Sequence, residues 1–487
     1  MPEHIGPERQ LFIDTHLIER MDGVKRSLQQ PVKQPRPVLE GDMPWEHGHA
    51  IIIGNSLHYD EDDKLFKAWY DVDGGTAYAT SRDGLHWEKP VLGIMAHGGS
   101  KQNNLVNRGR NLSVVKDHRE SDPSRRYKGI YWGSADGGKG FPWGGKGHML
   151  AYSPDGIHWK DSPKNPVMPL SHGLTDGQYV LGWDPRHQKY VAYMRPNTEF
   201  FNPMKRTNAW VSTENFVDWS NPISTVVPDD TDAPEDEYYR MCVATYENAY
   251  VGFIWVYHND TKFLDQSRDT IFAFSRNGIS WSKPFGAQKF APLGPKGAWD
   301  SKVAIGCKLI PRGDELWLYY SGANIPHNIY DATKVKDLGR GSVKGWAGNV
   351  IDGEKRAYAI GLAKLRRDGF VAVAPERGEG ALTTKAVTFM GSKLHVNVTG
   401  AKGRLEVEVL DRYAKPIPGY TRAECTPISA DSTDYVVKWQ GRDLVHATDR
   451  PEDAGGSNWN AFKYKLRQPV SLRFHLKDAS LYSFWVD

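Results

Sequence analysis

The chain has 487 residues, too many for one ordinary compact core, so two domains or a repeat architecture with an appended domain are expected. Its 62 Lys and Arg residues nearly balance its 59 Asp and Glu residues, which argues against a nucleic-acid partner, since such proteins usually carry a strongly basic face. None of the apolar runs approaches the roughly 20 residues that a membrane-spanning helix needs, so no membrane partner is expected.

The cysteines and the N-terminus indicate where in the cell the protein is expected. Cys242, Cys307 and Cys425 lie far apart and form no CxxC pair, which argues against a disulfide framework and a structural zinc site. The first ten residues have no basic stretch followed by an apolar stretch, so the chain as given carries no secretory signal. We expect a cytoplasmic protein, or a periplasmic or secreted one if a signal was removed.

A strand–turn–tryptophan pattern recurs from residue 64 to about residue 375. The five copies span residues 64–90, 126–159, 189–219, 249–281 and 315–373, and the last has lost its tryptophan. Alternating aromatic and small residues predict half-buried strands, and Asp-Gly or Asn-Gly supplies the positive φ of a tight turn. One such unit cannot bury its own faces, so several must stack, and radial stacking gives a β-propeller. Four good copies and one decayed copy predict five blades.

The last hundred or so residues follow another pattern. From Ala386 onwards, short alternating strands are separated by turn signals such as Gly400, which predicts a small β-sandwich. The expected fold class is all-β, with a five-bladed β-propeller followed by a small C-terminal β-sandwich. The predicted domains are an N-terminal extension that packs on the propeller (1–40), the catalytic propeller (41–380) and the β-sandwich (381–487).

The turn motif carries a resemblance to a known group of enzymes. The segments Ser81 to Pro90, Ser153 to Trp159 and Ser275 to Pro284 resemble repeats of five-bladed propeller glycosidases. This superfamily holds glycoside hydrolase families 32, 43, 68 and 130, and a propeller followed by a β-sandwich is most similar to family 32. The opening LFIDTHLIER, with the later MPWE, resembles uncharacterised bacterial members. The family 32 signatures W-M-N-D-P-N-G and R-D-P are absent in those forms, so site residues are carried over by position.

The resemblance implies acidic residues where the innermost strand of each blade opens into the channel. Glycosidic cleavage needs one carboxylic acid to protonate the leaving oxygen and one carboxylate to attack, directly or through water. A third carboxylate commonly tunes the pKa of the acid. The catalytic candidates at these strand openings are Glu46, Asp176, Glu237 and Asp300.

Candidate substrate-binding residues flank these acids. Arg110 is suited to hold a substrate carboxylate or sulfate with its bidentate fork. Trp143 lies in a Gly-rich hairpin, where we expect a sugar-stacking wall at the pocket rim. The other candidates are His49, His172, Tyr238, Arg240, Trp299 and His327.

The leading functional hypothesis is an exo-acting glycoside hydrolase on oligosaccharides from a plant or algal polysaccharide, because a funnel-shaped propeller pocket suits an end-on substrate. One alternative is a polysaccharide lyase on uronic-acid-containing glycans, in which a His or Tyr removes a proton and an Arg neutralises the carboxylate. Another is a non-catalytic carbohydrate-binding propeller. An oligosaccharide is the expected partner and no cofactor is required, while a divalent cation at the channel centre and the oligomeric state stay open.

Overall fold

A computed structural model shows how the chain is organised. It describes residues 2–72, 75–107, 109–134, 146–196, 205–259, 266–326, 350–351, 354–355, 358–448 and 468–487. Within these ranges there are 36 strands and no α-helix, only short 3-10 turns at Pro123–Arg125, Leu170–His172, Arg422–Glu424 and Leu444–Thr448. The all-β prediction is confirmed. No helix in these ranges is long and apolar enough to cross a membrane.

The chain divides into two compact units. The larger comprises residues 31–310 and 317–364, and the smaller comprises residues 1–30, 311–316 and 365–487. We number the strands in chain order and describe each unit by itself.

The larger unit begins with three antiparallel sheets whose strands are neighbours in the sequence. The first has β7 (Leu57–Asp60), β8 (Leu65–Val72), β9 (Gly75–Ser81) and β10 (Leu105–Asn107). The second has β11 (Arg110–Lys116), β12 (Tyr127–Ser134), β13 (Lys146–Ser153), β14 (Lys160–Asp161) and β15 (Met168–Pro169). The third has β16 (Leu174–Asp184), β17 (Lys189–Pro196), β18 (Ala209–Thr213) and β19 (Ile223–Ser224).

A nine-stranded sheet follows, made of two meanders. The first meander has β20 (Asp236–Tyr246), β21 (Ala249–His258), β22 (Arg268–Ser275) and β23 (Lys289–Ala291). The second has β24 (Val303–Arg312), β25 (Glu315–Ala323) and β28 (Tyr358–Arg366), with β5 (Val32–Lys33) and β6 (Leu39–Glu40) on β28. A small separate sheet pairs β26 (Val350–Ile351) with β27 (Glu354–Lys355). The two meanders are joined by one parallel pair, Arg268 with Val303. The count of five blades stays a prediction. It treats the two meanders of this sheet as separate blades that meet at the pair of Arg268 with Val303.

The repeated turn explains why successive meanders pack side by side. In the first copy the Ser81 hydroxyl accepts the N–H of Gly84 at 2.8 Å, and Gly84 has a φ of +76°. The carbonyl of Gly84 in turn accepts the Tyr319 hydroxyl from β25 at 2.9 Å. The turn at Gly156 likewise accepts the indole N–H of Trp69 from the preceding sheet at 2.6 Å. The turns at Gly84, Gly156 and Gly278 therefore each offer a carbonyl to an aromatic side chain of the neighbouring meander, and the contact from Tyr319 joins the last meander to the first.

The strands nearest the axis also bond to one another across the unit. The Asn55 amide donates to the carbonyl of Val180 at 2.9 Å, and the N–H of Ile52 donates to the Ser321 hydroxyl at 3.0 Å. The guanidinium of Arg240 donates to the carbonyl of Ile53. This radial packing around one channel is that of a β-propeller, so the predicted fold class is confirmed.

The smaller unit consists mainly of two sheets. One contains β2 (Gln10–Leu11), β4 (Val24–Leu28), β29 (Val371–Pro375), β32 (Leu394–Thr399), β34 (Asp431–Val436) and β36 (Ser480–Val486). The other contains β3 (Ile18–Asp22), β30 (Glu379–Thr384), β33 (Arg404–Leu410) and β35 (Ser471–Lys477). A parallel pair joins β1 (Glu3–His4) to β31 (Val387–Thr388). Phe474 and Phe484, one from each sheet, have ring centroids 5.5 Å apart in the common core.

The N-terminal forty residues, predicted as one extension on the propeller, are divided between the two units. Residues up to 30 belong to the smaller unit because β2, β3 and β4 extend its sheets and bury Phe12, Leu17 and Val24 in its core. Only the residues from 31 onwards join the larger unit, where β5 and β6 pair with β28.

Candidate functional site

A cavity lies on the axis of the larger unit, at the end where the innermost strands begin. Residues from the first four meanders line it. The charged groups in the lining are Asp71, Asp176, Arg110, Arg240 and Arg268. Two carboxylates therefore share the cavity with three arginines.

Asp176 lies near the start of β16, where the strand is irregular. The register with β17 shifts between Leu174 and Gln178, and such a bulge re-aims the side chains within it. Gly177 allows a close approach, because a Cβ there would lie 2.8 Å from the Cβ of Arg195. Arg195 forms an ion pair with the Asp176 carboxylate, whose side chain remains 41% exposed. The irregular start of β16 thus places the Asp176 carboxylate at the cavity, where Arg195 is its ion-pair partner.

The charge state of Asp176 follows from its neighbours. Burial by itself would raise the pKa of this carboxyl, but the positive charges of Arg195 and Arg240 outweigh burial and hold the pKa below its ordinary value. Arg240 also donates to the backbone carbonyl of Asp176 at 3.1 Å. Asp176 is therefore ionised at neutral pH and available as a base or nucleophile.

The pKa of Asp71, near the end of β8, is shifted in the opposite direction. It is 7% exposed, and burial raises its pKa to about 6 despite the opposing effects of the Asn111 N–H and the charges of Arg110 and Arg240. A carboxyl with this pKa is partly protonated near pH 6 and can donate a proton. Asp71 was not among the predicted acids, because it lies on the second strand of its meander and not at the opening of an innermost strand. Its sequence signal is an aspartate at the end of the otherwise apolar and aromatic run AWYDV.

One asparagine connects the two acids. The backbone N–H of Asn111 donates to the Asp71 carboxylate at 2.8 Å, and its side-chain amide donates to the carbonyl of Asp176 at 2.8 Å. Asn111 has a φ of +60°, a conformation that costs free energy outside glycine and often occurs at functional sites. Gln178 supports this geometry by donating to the carbonyl of Asn111 at 2.6 Å.

Aromatic and imidazole side chains complete the lining. Trp132, Trp255, Tyr239 and His49 face the cavity. The guanidinium of Arg240 lies 5.0 Å from the Trp255 ring, which fixes that wall through a cation–π contact. Aromatic faces beside polar groups are suited to stack on the apolar face of a sugar ring.

The structure places Asp176, alone of the four predicted catalytic acids, in this lining. Glu46 instead lies in a buried ion pair. Its carboxylate accepts the Lys89 ammonium at 2.6 Å and the Tyr70 hydroxyl at 2.5 Å, and its side chain is fully buried. We infer from these contacts that Glu46 has a structural role in the first meander.

This role of Glu46 can be tested through its partner. We expect Lys89→Met to lower the free energy of unfolding by roughly 3–5 kcal/mol, because it leaves a buried carboxylate without its cation. Glu46→Gln keeps the bond from Tyr70 and should leave kcat nearly unchanged in the folded protein. Denaturant unfolding and kcat measurements check both variants. A loss of activity of about a hundredfold in a fully folded Glu46→Gln variant would instead indicate general acid–base catalysis.

The other two predicted acids are buried outside the lining, and each is paired with a cation that is partly exposed. Glu237 forms an ion pair with Arg206 and accepts the side-chain amide of Asn259 at 2.8 Å. Asp300 accepts the Lys33 ammonium at 2.6 Å and so fixes β5 against the last meander. Both acids open a strand, as predicted, but their charges are neutralised by cations distant in the sequence.

Three of the predicted substrate-binding residues, His49, Arg110 and Arg240, line the cavity. Trp143 and His327 lie outside the described residues.

The remaining three are engaged elsewhere. His172 contacts the carbonyl of Ser220 at 3.0 Å. Tyr238 is buried and donates to Asp232 at 2.7 Å, because the next residue, Tyr239, takes the position in the lining. Trp299 stacks on the Tyr320 ring at 5.5 Å. Within the described part of the chain, no group of three or more His, Cys, Asp or Glu residues is arranged to hold a metal ion.

Comparisons with known proteins give matches of fold. No protein-family model and no curated protein matches the sequence. Among solved structures, the chain is similar to the Bombyx mori GH32 β-fructofuranosidase BmSUC1 at 11% identity and a TM-score of 0.43, covering 93% of this chain and 94% of that one. It is also similar to a thermostable family-43 glycoside hydrolase at 14% identity and a TM-score of 0.41, covering 57% and 86%.

The chain is thus similar to glycoside hydrolases of the family 32 and family 43 types. The predicted resemblance is confirmed at the level of fold. A further match is an N-acetylgalactosamine deacetylase from F. plautii in complex with blood group B trisaccharide, at 13% identity and a TM-score of 0.41, covering 70% of this chain and 96% of that one. One fold can host different reactions, so the activity has to be argued from the site.

Proposed function

We propose that this protein is a glycosidase that hydrolyses an oligosaccharide in the axial cavity, with Asp71 as the general acid and Asp176 as the attacking carboxylate or general base. One observation carries the proposal. Two carboxyl groups line the same cavity, and their surroundings move their pKa values in opposite directions. Such separation assigns the acid and the base in a two-carboxylate mechanism.

The proposed reaction follows from these states. Asp71 transfers its proton to the glycosidic oxygen as the bond to the anomeric carbon breaks. If Asp176 removes a proton from water, that water attacks the anomeric carbon and becomes the new hydroxyl group. If Asp176 itself attacks, a glycosyl ester forms; water activated by the deprotonated Asp71 then breaks that ester, which releases the sugar, frees Asp176 and returns the proton to Asp71. The ion pair with Arg195 keeps Asp176 ionised, and Asn111 holds the two acids in a fixed relation.

An exo mode of action is supported by what lies beneath the cavity. Tyr179, Cys242 and Cys307 are almost completely buried on the innermost strands. The Cys307 thiol contacts the carbonyl of Ile52 at 3.1 Å, so this part of the channel is filled by protein. A substrate that enters from one end and meets a closed floor presents its terminal residue.

The proposal is tested by product release from a panel of aryl glycosides and of plant and algal oligosaccharides. We expect the wild-type protein to release single sugars from one class of substrate. Asp71→Asn and Asp176→Asn should both abolish most of the release from oligosaccharides, while Asp230→Asn, at an exposed aspartate of the same unit, should not. Release that persists in both cavity variants would contradict the proposal.

The pKa values set the expected pH dependence. Asp71 must be protonated, so kcat/KM should fall as the pH rises through about 6. Asp176 must be ionised, so kcat/KM should fall at acid pH, below the ordinary carboxyl value of 3.8. A profile measured from about pH 3 to about pH 9 should therefore be bell-shaped. A rate that increases as the pH rises through 6 would assign Asp71 the role of a base.

A second candidate function is supported by Tyr239 and His49. The Tyr239 ring lies 4.4 Å from the Arg195 guanidinium and 5.3 Å from that of Arg268, so two cations flank it. A tyrosine or histidine base beside arginines could remove the C5 proton of a uronate while the glycosidic oxygen departs. That elimination leaves a carbon–carbon double bond between C4 and C5, which absorbs in the ultraviolet, whereas hydrolysis leaves none.

A further inference from the structure

Four arginines converge on one side of the cavity. Arg110, Arg240 and Arg268 belong to the lining, and Arg195 lies behind Asp176. We call these four residues the arginine cluster. Three members of the arginine cluster lie next to Tyr239. Arg195 and Arg268 both lie over the Tyr239 ring, and Arg240 is the next residue in β20.

The buried members of the arginine cluster have unused donors. Arg195, Arg240 and Arg268 are 8%, 2% and 3% exposed. Nη1 of Arg195, Nε of Arg240 and Nε of Arg268 are buried and have no hydrogen-bond acceptor among the residues that the structure describes. Buried polar atoms in native proteins are almost always hydrogen-bonded, so three such atoms beside one cavity point to a ligand.

The charges of the cluster are also incompletely balanced. Arg240 donates to the backbone carbonyls of Ile53 and Asp176, and Arg268 donates to the Tyr358 hydroxyl at 3.3 Å. Neither arginine forms an ion pair with a carboxylate in the described part of the chain. Arg195 has one carboxylate partner, Asp176. Burying a cation without an anion is costly, and an incoming anion removes that cost.

We propose that the arginine cluster binds an oxyanion substituent, a carboxylate or a sulfate, on the sugar residue in the cavity, so that the substrate is an acidic glycan. Arg110 is exposed at the cavity and meets the anion first, while the unused donors of Arg240 and Arg268 receive it inside. Arginine is suited to this task because its planar fork matches the geometry of carboxylate and sulfate oxygens. This substrate class rests on the proposed function, whereas the anion site itself does not.

The experiment measures binding without turnover. Trp132 and Trp255 line the cavity, so tryptophan fluorescence and calorimetry can both report binding of a monosaccharide. The probes are glucuronate, galactose 6-sulfate, and neutral glucose and galactose. We expect at least one acidic sugar to bind about tenfold more tightly than its neutral counterpart, since charge-assisted hydrogen bonds dominate the difference. If only glucuronate binds more tightly, the cluster accepts a carboxylate. If only galactose 6-sulfate binds more tightly, the cluster accepts a sulfate.

Variants assign the effect to the cluster. Arg268→Gln and Arg110→Gln should each weaken binding of the acidic sugar about tenfold, with little change for the neutral one. Arg36→Gln replaces an exposed arginine of the same unit outside the lining and should change neither affinity. Arg110 is itself exposed, so its variant tests the proposal even if Arg268→Gln fails to fold.

The outcomes separate this inference from the proposed function. Equal affinity for acidic and neutral sugars, or unchanged binding in both arginine variants, would overturn the anion site. Tight binding of an acidic sugar without hydrolysis of any acidic glycan would retain the anion site and contradict the glycosidase proposal. Hydrolysis of neutral oligosaccharides without preference for acidic ones would support the glycosidase proposal and contradict the acidic substrate class.

Discussion

Asp176→Asn is expected to lower kcat/KM by about 10³-fold or more, because the variant loses the carboxylate proposed as the base or nucleophile. Asparagine keeps a carbonyl oxygen that can still accept a hydrogen bond from Arg195, and kcat is compared in variant protein that denaturant unfolding shows to be folded. Steady-state kinetics with the substrate found in the panel measures the effect.

Asp230→Asn is the matched control, since it makes the same chemical change at an exposed position of the same unit. An Asp176→Asn variant with full kcat would exclude Asp176 as base or nucleophile. A variant that raises KM alone would assign Asp176 to substrate binding.

Asp71→Asn is expected to lose activity and gain stability. The general acid is removed, so kcat should fall by about 10²- to 10⁴-fold for a natural leaving group. The loss should be smaller for an aryl glycoside whose leaving group departs without a proton. This dependence on the leaving group distinguishes a proton donor from a residue that only supports the fold.

The stability effect has a definite sign. The pKa of Asp71 rises from 3.8 to about 6 on folding, so the protonated carboxyl contributes stability fully below pH 3.8, and this contribution is lost as the pH rises through 6. Asparagine is neutral at every pH and avoids this loss. Asp71→Asn should therefore raise the free energy of unfolding by roughly 3 kcal/mol at pH 7 and by much less near pH 4. Denaturant unfolding at the two pH values checks this, and a variant destabilised at neutral pH would contradict the burial of a charged Asp71.

The fold could be predicted from the sequence because its repeated turn is local. Ser81, Asp83 and Gly84 form their bonds within a few residues, and the same spacing recurs at Ser153 and Ser275. The hydrogen bond from Tyr319 to Gly84, which joins the last meander to the first, spans 235 residues and has no local signal. The pairing of residues 18–28 with strands near residue 380 was missed for the same reason.

The candidate site could be predicted only in part. Position on the innermost strands was enough to single out Asp176, Arg110 and Arg240. It could not show that Glu46 meets Lys89 or that Asp300 meets Lys33, a cation 267 residues away.

The members of the site that lie off the innermost strands were missed. Asp71, Arg195 and Arg268 lie on second or third strands of their meanders, and they converge because β8 and β17 end, and β22 begins, at the cavity. A local sequence pattern does not encode that convergence.

The most direct test of the central claim is to follow cleavage of an acidic oligosaccharide in water labelled with heavy oxygen. Mass spectrometry of the products then shows where the oxygen goes. Hydrolysis by Asp71 and Asp176 predicts one labelled oxygen at the anomeric carbon of the released sugar and no new double bond. Products that lack added water and absorb in the ultraviolet would contradict that mechanism and assign the cavity to elimination.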